Sequence, residues 1–168
     1  MKYLAPAPFM KHLMQLPKGR LAAFDVGTKR IGVAMGDESH RLVFPMQTLT
    51  RGKGGDEALS RQVQRFVDEN DCKGIVVGLP LLDGQATNMA NEIVQLMLRI
   101  NCVCDDSRAG RDPNTMQLPF TLWSEVGSTM RARRMIKGLS SKRSVYSKKK
   151  DEIAAAIILE RFLYHNFR

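Results

Sequence analysis

Residues 24–34 read FDVGTKRIGVA, two apolar runs joined by a short turn that contains Gly27. This spacing predicts two antiparallel strands, and Asp25 lies inside the first of them, near its carboxyl end. Moving an unpaired carboxylate into an apolar interior costs at least several kcal/mol. Asp25 therefore needs a cationic partner, either a metal ion or a basic side chain such as Lys29 or Arg30.

The segments around this stretch predict an α/β fold. The predicted strands are RLAAFDV (20–26), RIGVAMG (30–36), LVFPMQTL (42–49), GIVVGLP (74–80) and FTLWSE (120–125). Apolar residues recur at helical spacing over 59–67 and 89–100, and helices are also expected at about 128–137 and 151–165. The first three strands predict an antiparallel meander, and Pro45 places the third at an edge. Strand–helix crossovers make the remaining strands parallel, so we expect a mixed sheet with helices on both faces.

Length and composition are those of a soluble globular protein with one main domain. The chain has 168 residues, of which 43% are hydrophobic and 26% charged. We expect a short N-terminal arm over residues 1–19, with an organelle-targeting segment as the alternative, and a single domain over 20–168. No apolar run reaches the roughly 18 residues that a membrane helix needs, so no membrane partner is expected. The three cysteines lack metal-ligand spacing and indicate a reducing compartment, the cytoplasm or, in a eukaryote, an organelle stroma or matrix.

Positive charge is concentrated in one part of the chain. The net charge is +9, and the segment 131–150 is rich in Lys and Arg and contains no acid. Its basic residues are Arg131, Arg133, Arg134, Lys137, Lys142, Arg143, Lys148, Lys149 and Lys150. A basic block on an otherwise neutral chain is typical of a protein that binds a polyanion such as nucleic acid. The alternative is a solvated loop between the last two helices, which many lysine-rich segments are.

Three acidic residues lie where the predicted fold would bring them together. Asp25 and Glu125 end the first and last predicted strands, at the edge where functional groups gather in such sheets. Asp151 begins an almost wholly apolar helix that must pack against the sheet, although a role as helix N-cap is the alternative for this residue. Three converging carboxylates repel one another and need a cation between them. Oxygen ligands of this kind favour Mg²⁺, with Mn²⁺ as a close substitute.

Four segments, in this order, resemble the motif series of the YqgF family of pre-16S rRNA nucleases. They are FDVGTKRIGVA (24–34), GIVVGLPLLDG (74–84), LWSEVGSTMRA (122–132) and KKKDEIAAAIILERFL (148–163). The resemblance covers about residues 20–165 and implies an RNase H-like fold related to Holliday junction resolvases, with a five-stranded sheet ordered 3-2-1-4-5. It also implies hydrolysis of phosphodiester bonds that depends on Mg²⁺ or Mn²⁺, with Asp25, Glu125 and Asp151 as the catalytic and metal-binding acids.

Basic and hydroxyl residues around these acids are the candidate nucleic-acid ligands. They are Lys29, Arg30, Ser128, Thr129, Arg131, Arg133, Lys148, Lys149 and Lys150. Side chains and backbone N–H groups of this kind bind phosphate, which predicts binding with little sequence preference and steep salt dependence. From the resemblance, the expected substrate is structured RNA, above all precursor 16S-type rRNA in ribosome biogenesis, or branched DNA. The binding unit is expected to be a monomer or a homodimer.

One motif departs from the family pattern. Where the family usually has Asp-Glu-Arg, this chain has Ser124, Glu125 and Val126. If the missing groups orient water or hold a phosphate, catalysis is weakened. These substitutions favour one alternative, a catalytically impaired nucleic-acid-binding protein that acts in transcription or ribosome assembly. The resemblance leaves a second alternative, a Holliday junction resolvase-type endonuclease.

Overall fold

The structure is a computed structural model that describes residues 2–15, 19–52, 54–82, 85–86, 88–106, 118–124 and 143–167. Its elements, in chain order, are β1 (Lys2–Tyr3), α1 (Pro6–Met14), β2 (Arg20–Val26), β3 (Arg30–Gly36), β4 (Val43–Thr50), α2 (Gly55–Glu69), β5 (Cys72–Leu79), β6 (Leu81–Leu82), β7 (Gln85–Ala86), α3 (Asn88–Asp106), β8 (Pro119–Ser124) and α4 (Arg143–Phe167). The helix expected at about 128–137 lies outside the described residues. Within them, no helix has both the length and the apolar character needed to cross a membrane.

A six-stranded mixed sheet, ordered β1-β8-β5-β2-β3-β4, forms the centre of the molecule. β2 pairs antiparallel with β3 and β3 with β4, as the meander predicts, while β2, β5 and β8 are parallel neighbours. The expectation of five strands ordered 3-2-1-4-5 is wrong, because Lys2–Tyr3 adds a sixth strand beside β8. Two residues are too few to show an alternating pattern, so this strand carries no sequence signal. The short strands β6 and β7 pair separately as a second sheet.

One face of the sheet, here termed the apolar face, is covered by α2 and α3 and holds a large core. The predicted apolar stripe of α2, from Leu59 to Val67, is buried. Phe66 of this helix meets Phe24 of β2 edge to face, with the ring centroids 6.4 Å apart. In α3 the expected apolar stripe is buried from Ile93 to Ile100, whereas Met89 is exposed. Large side chains from both layers therefore fill this face.

The opposite face, here termed the α4 face, is built to let a helix backbone come close. Alternate strand residues point to opposite sides, and on this side β3 presents Arg30 followed by three small residues, Gly32, Ala34 and Gly36. Ala34 packs against Ala155 and Ala156 of α4. Because these side chains are so small, α4 lies directly on the strand backbone.

The N-terminal arm also packs on the α4 face. Phe9 of α1 is fully buried, and its ring lies 5.8 Å from that of Phe162 in α4. The ring of Trp123 at the end of β8 lies 5.3 Å from the same Phe162 ring. Trp123 is thus part of the packing between β8 and α4.

α4 begins at Arg143, well before the helix start that the sequence predicts at Asp151. The segment interpreted as a basic loop is therefore helical from residue 143 onward, which lysine, a good helix former, allows. Asp151 lies inside the helix, so its interpretation as an N-cap is wrong. At a rise of about 1.5 Å per residue, the residues before Asp151 extend the basic end of this helix by about 12 Å.

β4 is the edge strand that Pro45 predicts. Its pairing with β3 changes register between Val33 and Ala34, which marks a β-bulge. Leu42, Phe44 and Met46 are exposed along this edge.

Candidate functional site

The carboxyl ends of β2, β4, β5 and β8 lie together at one edge of the sheet, here termed the carboxyl edge. This follows from the pairing, since β2, β5 and β8 are parallel and β3 runs antiparallel between β2 and β4. Asp25 is the second-last residue of β2 and is half-buried. Its neighbours Phe24 and Val26 belong to the apolar core, so the side chain of Asp25 points to the α4 face.

Gly32 brings Asp25 and Asp151 into the same neighbourhood. In the β2–β3 ladder Gly32 is the direct partner of Asp25. On the α4 face a Cβ atom added to Gly32 would lie 2.0 Å from the carbonyl oxygen of Asp151 and 2.2 Å from its carbonyl carbon. No real Cβ tolerates such distances, so the missing side chain is what allows α4 to rest on β3 at Asp151. Two acids that are 126 positions apart in the numbering of the chain are therefore separated by a single strand residue.

The carboxylate of Asp151 is largely buried and carries two cationic partners. Its Oδ2 accepts a hydrogen bond from Arg30 Nε at 3.0 Å, and its Oδ1 lies 3.2 Å from Lys150 Nζ. A desolvated carboxylate requires such neutralisation. The sequence suggested Arg30 as an ion-pair partner for Asp25 and as a phosphate ligand. In the structure its Nε lies against Asp151, where it fixes the orientation of that carboxylate. Its role as a phosphate ligand stays a prediction.

Thr48 and Glu152 extend this row of polar contacts towards β4. Thr48 is the ladder partner of Gly32, and its hydroxyl donates to Glu152 Oε1 at 3.0 Å. Asp25, Gly32 and Thr48 thus form one row across three strands, with α4 passing over it. The contacts of Gly32 and Thr48 with α4 were not predicted from the sequence. The available signal was a glycine inside a strand, which often marks the close approach of another backbone.

Arg51 is a further site residue that was not predicted from the sequence. It follows β4 directly and donates from Nη1 to the carbonyl oxygen of Gly27 at 2.7 Å. Its backbone N–H also donates to the carbonyl oxygen of Lys29 at 3.0 Å. Both acceptors belong to the turn that follows Asp25, so Arg51 holds this turn against the end of β4.

The remaining predicted ligands are only partly within the described residues. Lys29 and Lys149 are exposed near the carboxyl edge, and Lys150 is half-buried beside Asp151. The residues outside the described part are Glu125, Ser128, Thr129, Arg131 and Arg133, and the side chain of Lys148. β8 is described up to Ser124, whose ladder partner is Leu79 of β5. The roles of all these residues as ligands stay predictions.

A divalent metal ion is implied by the family resemblance, and the described residues fit its ligand chemistry. Asp25 and Asp151 carry carboxylate oxygens, which Mg²⁺ prefers, and both lie beside Gly32. Among the described residues, no group of three or more His, Cys, Asp and Glu side chains lies close enough together to hold a metal ion. Glu125, the third predicted ligand, is not among the described residues. In this structure Arg30 and Lys150 supply the positive charge beside Asp151.

The described groups with the clearest pKa shifts lie at the opposite end of the sheet. Hydrogen bonds from the hydroxyl of Ser39 and the backbone N–H of Leu42 lower the pKa of Asp37 to about 2. Burial lowers the pKa of His40 and raises the pKa of the Cys72 thiol to about 11. A cavity of about 630 Å³, lined in part by His40, also lies at this end. It is far from Asp25 and has no part in the candidate site.

Comparisons with known proteins agree with the four sequence motifs. The profile of the family described as RuvX, Holliday junction resolvase, matches residues 19–165. A candidate pre-16S rRNA nuclease from Zymomonas mobilis is 34% identical over 145 residues, which cover 85% of this chain and 79% of that protein. One from Cereibacter sphaeroides is 31% identical over 160 residues, which cover 90% of this chain and 87% of that protein.

A solved structure shares the fold. T. thermophilus RuvC, in complex with a Holliday junction substrate, matches with a TM-score of 0.51 and 13% identity, over 89% of this chain and 96% of that one. At this identity the likeness concerns the fold alone. The profile match spans most of the chain and contains all four motifs, and the chain therefore belongs to the RuvX family, the YqgF-type family that those motifs resemble.

Proposed function

We propose that this chain is a Mg²⁺-dependent nuclease that hydrolyses phosphodiester bonds in precursor 16S-type rRNA during ribosome biogenesis. The observation that carries the proposal is that Asp25 is the ladder partner of Gly32 and Asp151 lies over the same glycine, at the carboxyl edge of the sheet. The relatives from Zymomonas mobilis and Cereibacter sphaeroides, both named as candidate pre-16S rRNA nucleases, support the choice of substrate.

Each residue of the site has a separate task in this proposal. Asp25, Asp151 and Glu125 hold the metal ion, which when bound supplies positive charge for the attacked phosphate and for the attacking and leaving oxygens. Arg30 keeps the Asp151 carboxylate oriented through its 3.0 Å hydrogen bond. Lys29 is exposed beside Asp25 and binds the phosphate backbone of the substrate. Mn²⁺ is expected to replace Mg²⁺ because it accepts the same oxygen ligands.

The basic end of α4 supplies the wider nucleic-acid interface. Residues 143–150 continue the helix beyond Asp151, and Lys149 and Lys150 lie in its last turn before that acid. A row of lysines beside the acids attracts the backbone of a polyanion and brings it to the carboxyl edge. Binding through phosphates carries little sequence preference, so the shape of the RNA must select the cleavage position.

Cleavage of a defined RNA by purified protein tests the proposal. A precursor 16S rRNA fragment is incubated with Mg²⁺, with Mn²⁺ or with EDTA, using the wild-type protein and Asp25→Asn, which keeps the shape of the side chain and removes its charge. We expect cleavage with either metal ion, none with EDTA, and a loss of at least about 100-fold in rate for the variant, because one ligand charge is removed. Thermal unfolding of both proteins shows that the variant is folded. Equal cleavage by both proteins would remove Asp25 from the mechanism.

A Holliday junction resolvase activity is the second candidate, favoured by the description of the matching family. A four-way DNA junction tested in parallel with the RNA separates the two, since preferential and paired cuts in the junction would reverse our choice of substrate. Binding of both nucleic acids without cleavage would favour an impaired enzyme. In that case the substituted positions Ser124 and Val126 are the first to restore, by Ser124→Asp with Val126→Arg.

A further inference from the structure

Arg51 lies at the carboxyl edge and is not among the predicted ligands. It follows the last residue of β4, and that strand ends at the same edge as β2. Its guanidinium reaches across to the turn after Asp25 and donates from Nη1 to Gly27 O at 2.7 Å. Its backbone N–H donates to Lys29 O at 3.0 Å. The side chain of Arg51 is thus held at Gly27, which follows Asp25 by two residues.

The surroundings make Arg51 rigid. The preceding residue, Thr50, is held by α2, because the side-chain amide of Gln62 accepts from its N–H and donates to its carbonyl oxygen, both at 3.2 Å. The turn itself is closed by a hydrogen bond from Gly27 N–H to Arg30 O at 2.8 Å. The guanidinium is therefore positioned before any ligand arrives, which lowers the entropy lost on binding.

Most of the hydrogen-bonding capacity of Arg51 is unused. A guanidinium has five N–H donors, and within the described part of the chain only the contact with Gly27 O engages it. A carbonyl oxygen accepts a hydrogen bond but does not neutralise the charge, and no described Asp or Glu forms an ion pair with Arg51. Arg30, by contrast, is committed to Asp151. Arg51 is consequently a fixed, half-buried cation with free donors at the turn that follows Asp25.

We infer that Arg51 binds a phosphate group of the nucleic-acid backbone, beside the phosphate that is cleaved. The planar fork of a guanidinium suits phosphate oxygens, and charge-assisted hydrogen bonds of this kind are about twice as strong as neutral ones. This inference rests on the proposed function, because it assigns a further ligand to the same nucleic-acid site. The competing role is purely structural, with Arg51 acting only as a clamp on the turn.

Salt dependence of RNA binding distinguishes the two roles. Fluorescence anisotropy with a labelled single-stranded RNA, in EDTA to prevent cleavage, gives Kd over a series of KCl concentrations for wild type, Arg51→Gln and Arg51→Lys. For Arg51→Gln we expect binding about tenfold weaker, as for loss of one charge-assisted hydrogen bond. We also expect the slope of log Kd against log salt to fall by about 0.7, the value for one phosphate contact on a single strand. Arg51→Lys keeps the charge and should recover the slope.

Arg61→Gln provides the matched control. Arg61 lies on α2, is exposed and pairs with Glu57, so its substitution removes the same charge away from the carboxyl edge. It should leave both Kd and slope close to wild type. A wild-type slope in Arg51→Gln, or equal weakening in Arg51→Gln and Arg51→Lys with unchanged slopes, would make Arg51 a clamp only and overturn the inference. Absence of RNA binding by the wild-type protein would instead remove the proposed function, and Arg51's role with it.

Discussion

On the apolar face, Phe24, Ile31 and Val33 project large side chains into the core under α2 and α3, whereas on the α4 face β3 offers only small residues after Arg30, namely Gly32, Ala34 and Gly36. β3 therefore meets one helical layer through interlocking side chains and the other almost backbone to backbone. On this second side charged groups approach the sheet, at Asp25, Arg30 and Asp151. The comparison indicates that β3 contributes to the core on one face and to the candidate site on the other.

The division has a physical basis. An apolar core gains free energy from each large side chain that it removes from water, about 25 cal/mol per Å². A site that holds charges needs short, fixed distances between backbones instead, and small residues provide them. Substitutions on the two faces should consequently affect different properties.

The largest expected effect on stability comes from the apolar face. Phe66→Ala removes a ring that is 2% exposed and packs edge to face on Phe24, and it should lower the free energy of unfolding by about 3–5 kcal/mol. Urea denaturation followed by circular dichroism measures this loss. Below its unfolding temperature the variant should cleave RNA at close to the wild-type rate. A loss of cleavage by the folded variant would show that the two faces are not independent.

A smaller loss of stability, with a larger loss of activity, is expected from the α4 face. Gly32→Ala places a methyl group 2.0 Å from the carbonyl oxygen of Asp151, so α4 must move away at this point. We expect a cost of about 1–3 kcal/mol, as for other overpacked sites, together with a fall of at least about tenfold in the cleavage rate.

Gly36→Ala is the control for this substitution. It lies on the same strand and face, but its added Cβ would meet nothing closer than Leu21 O at 3.6 Å, an ordinary contact. Its effect on stability should be less than about 1 kcal/mol, without loss of activity. Equal effects of the two substitutions would mean that the approach of α4 at Asp151 is not critical.

The smallest expected effect concerns the reactivity of Cys72, which should be negligible in the native protein. This thiol is buried in the core of the apolar face, and burial raises its pKa to about 11 from an ordinary value of 9.0. Iodoacetamide at pH 8 should leave Cys72 unmodified in the native protein and alkylate it in urea, as measured by peptide mass spectrometry. Because the unfolded thiol ionises at lower pH than the folded one, stability should also fall as pH rises from about 9 to 11. Rapid native alkylation would show that the core opens readily at this end.

The parts of the fold that the sequence predicts are those with a strong local pattern. β2, β3 and β5 are continuous or alternating apolar runs, and the stripe of α2 has clear helical spacing. β1 is missed because it depends on a partner, β8, that is more than a hundred residues away. The start of α4 is misplaced because Lys148–Lys150 have the composition of a solvated loop, and only the continuous helix shows otherwise.

Within the candidate site, residue types were easier to predict than contacts. Asp25 and Asp151 are conspicuous as acids in apolar segments, and their common location follows from general rules about strand ends. The contact of Arg30 with Asp151 could not be predicted, because it depends on where α4 lies on the sheet. Arg51 lies in a polar segment with no motif, and its contact with Gly27 exists only through the pairing of β3 with β4.

The outer edge of β4 has a consequence for how these molecules behave when crowded together. A strand from a neighbouring molecule can extend a sheet only along an unbroken row of N–H and C=O groups, and Pro45 removes one donor while the bulge disturbs the spacing of the others. The apolar side chains at Leu42, Phe44 and Met46 therefore have no regular backbone template behind them. Fibrillar growth, which would begin with such strand addition, is therefore disfavoured at the β4 edge, although apolar side chains are exposed there.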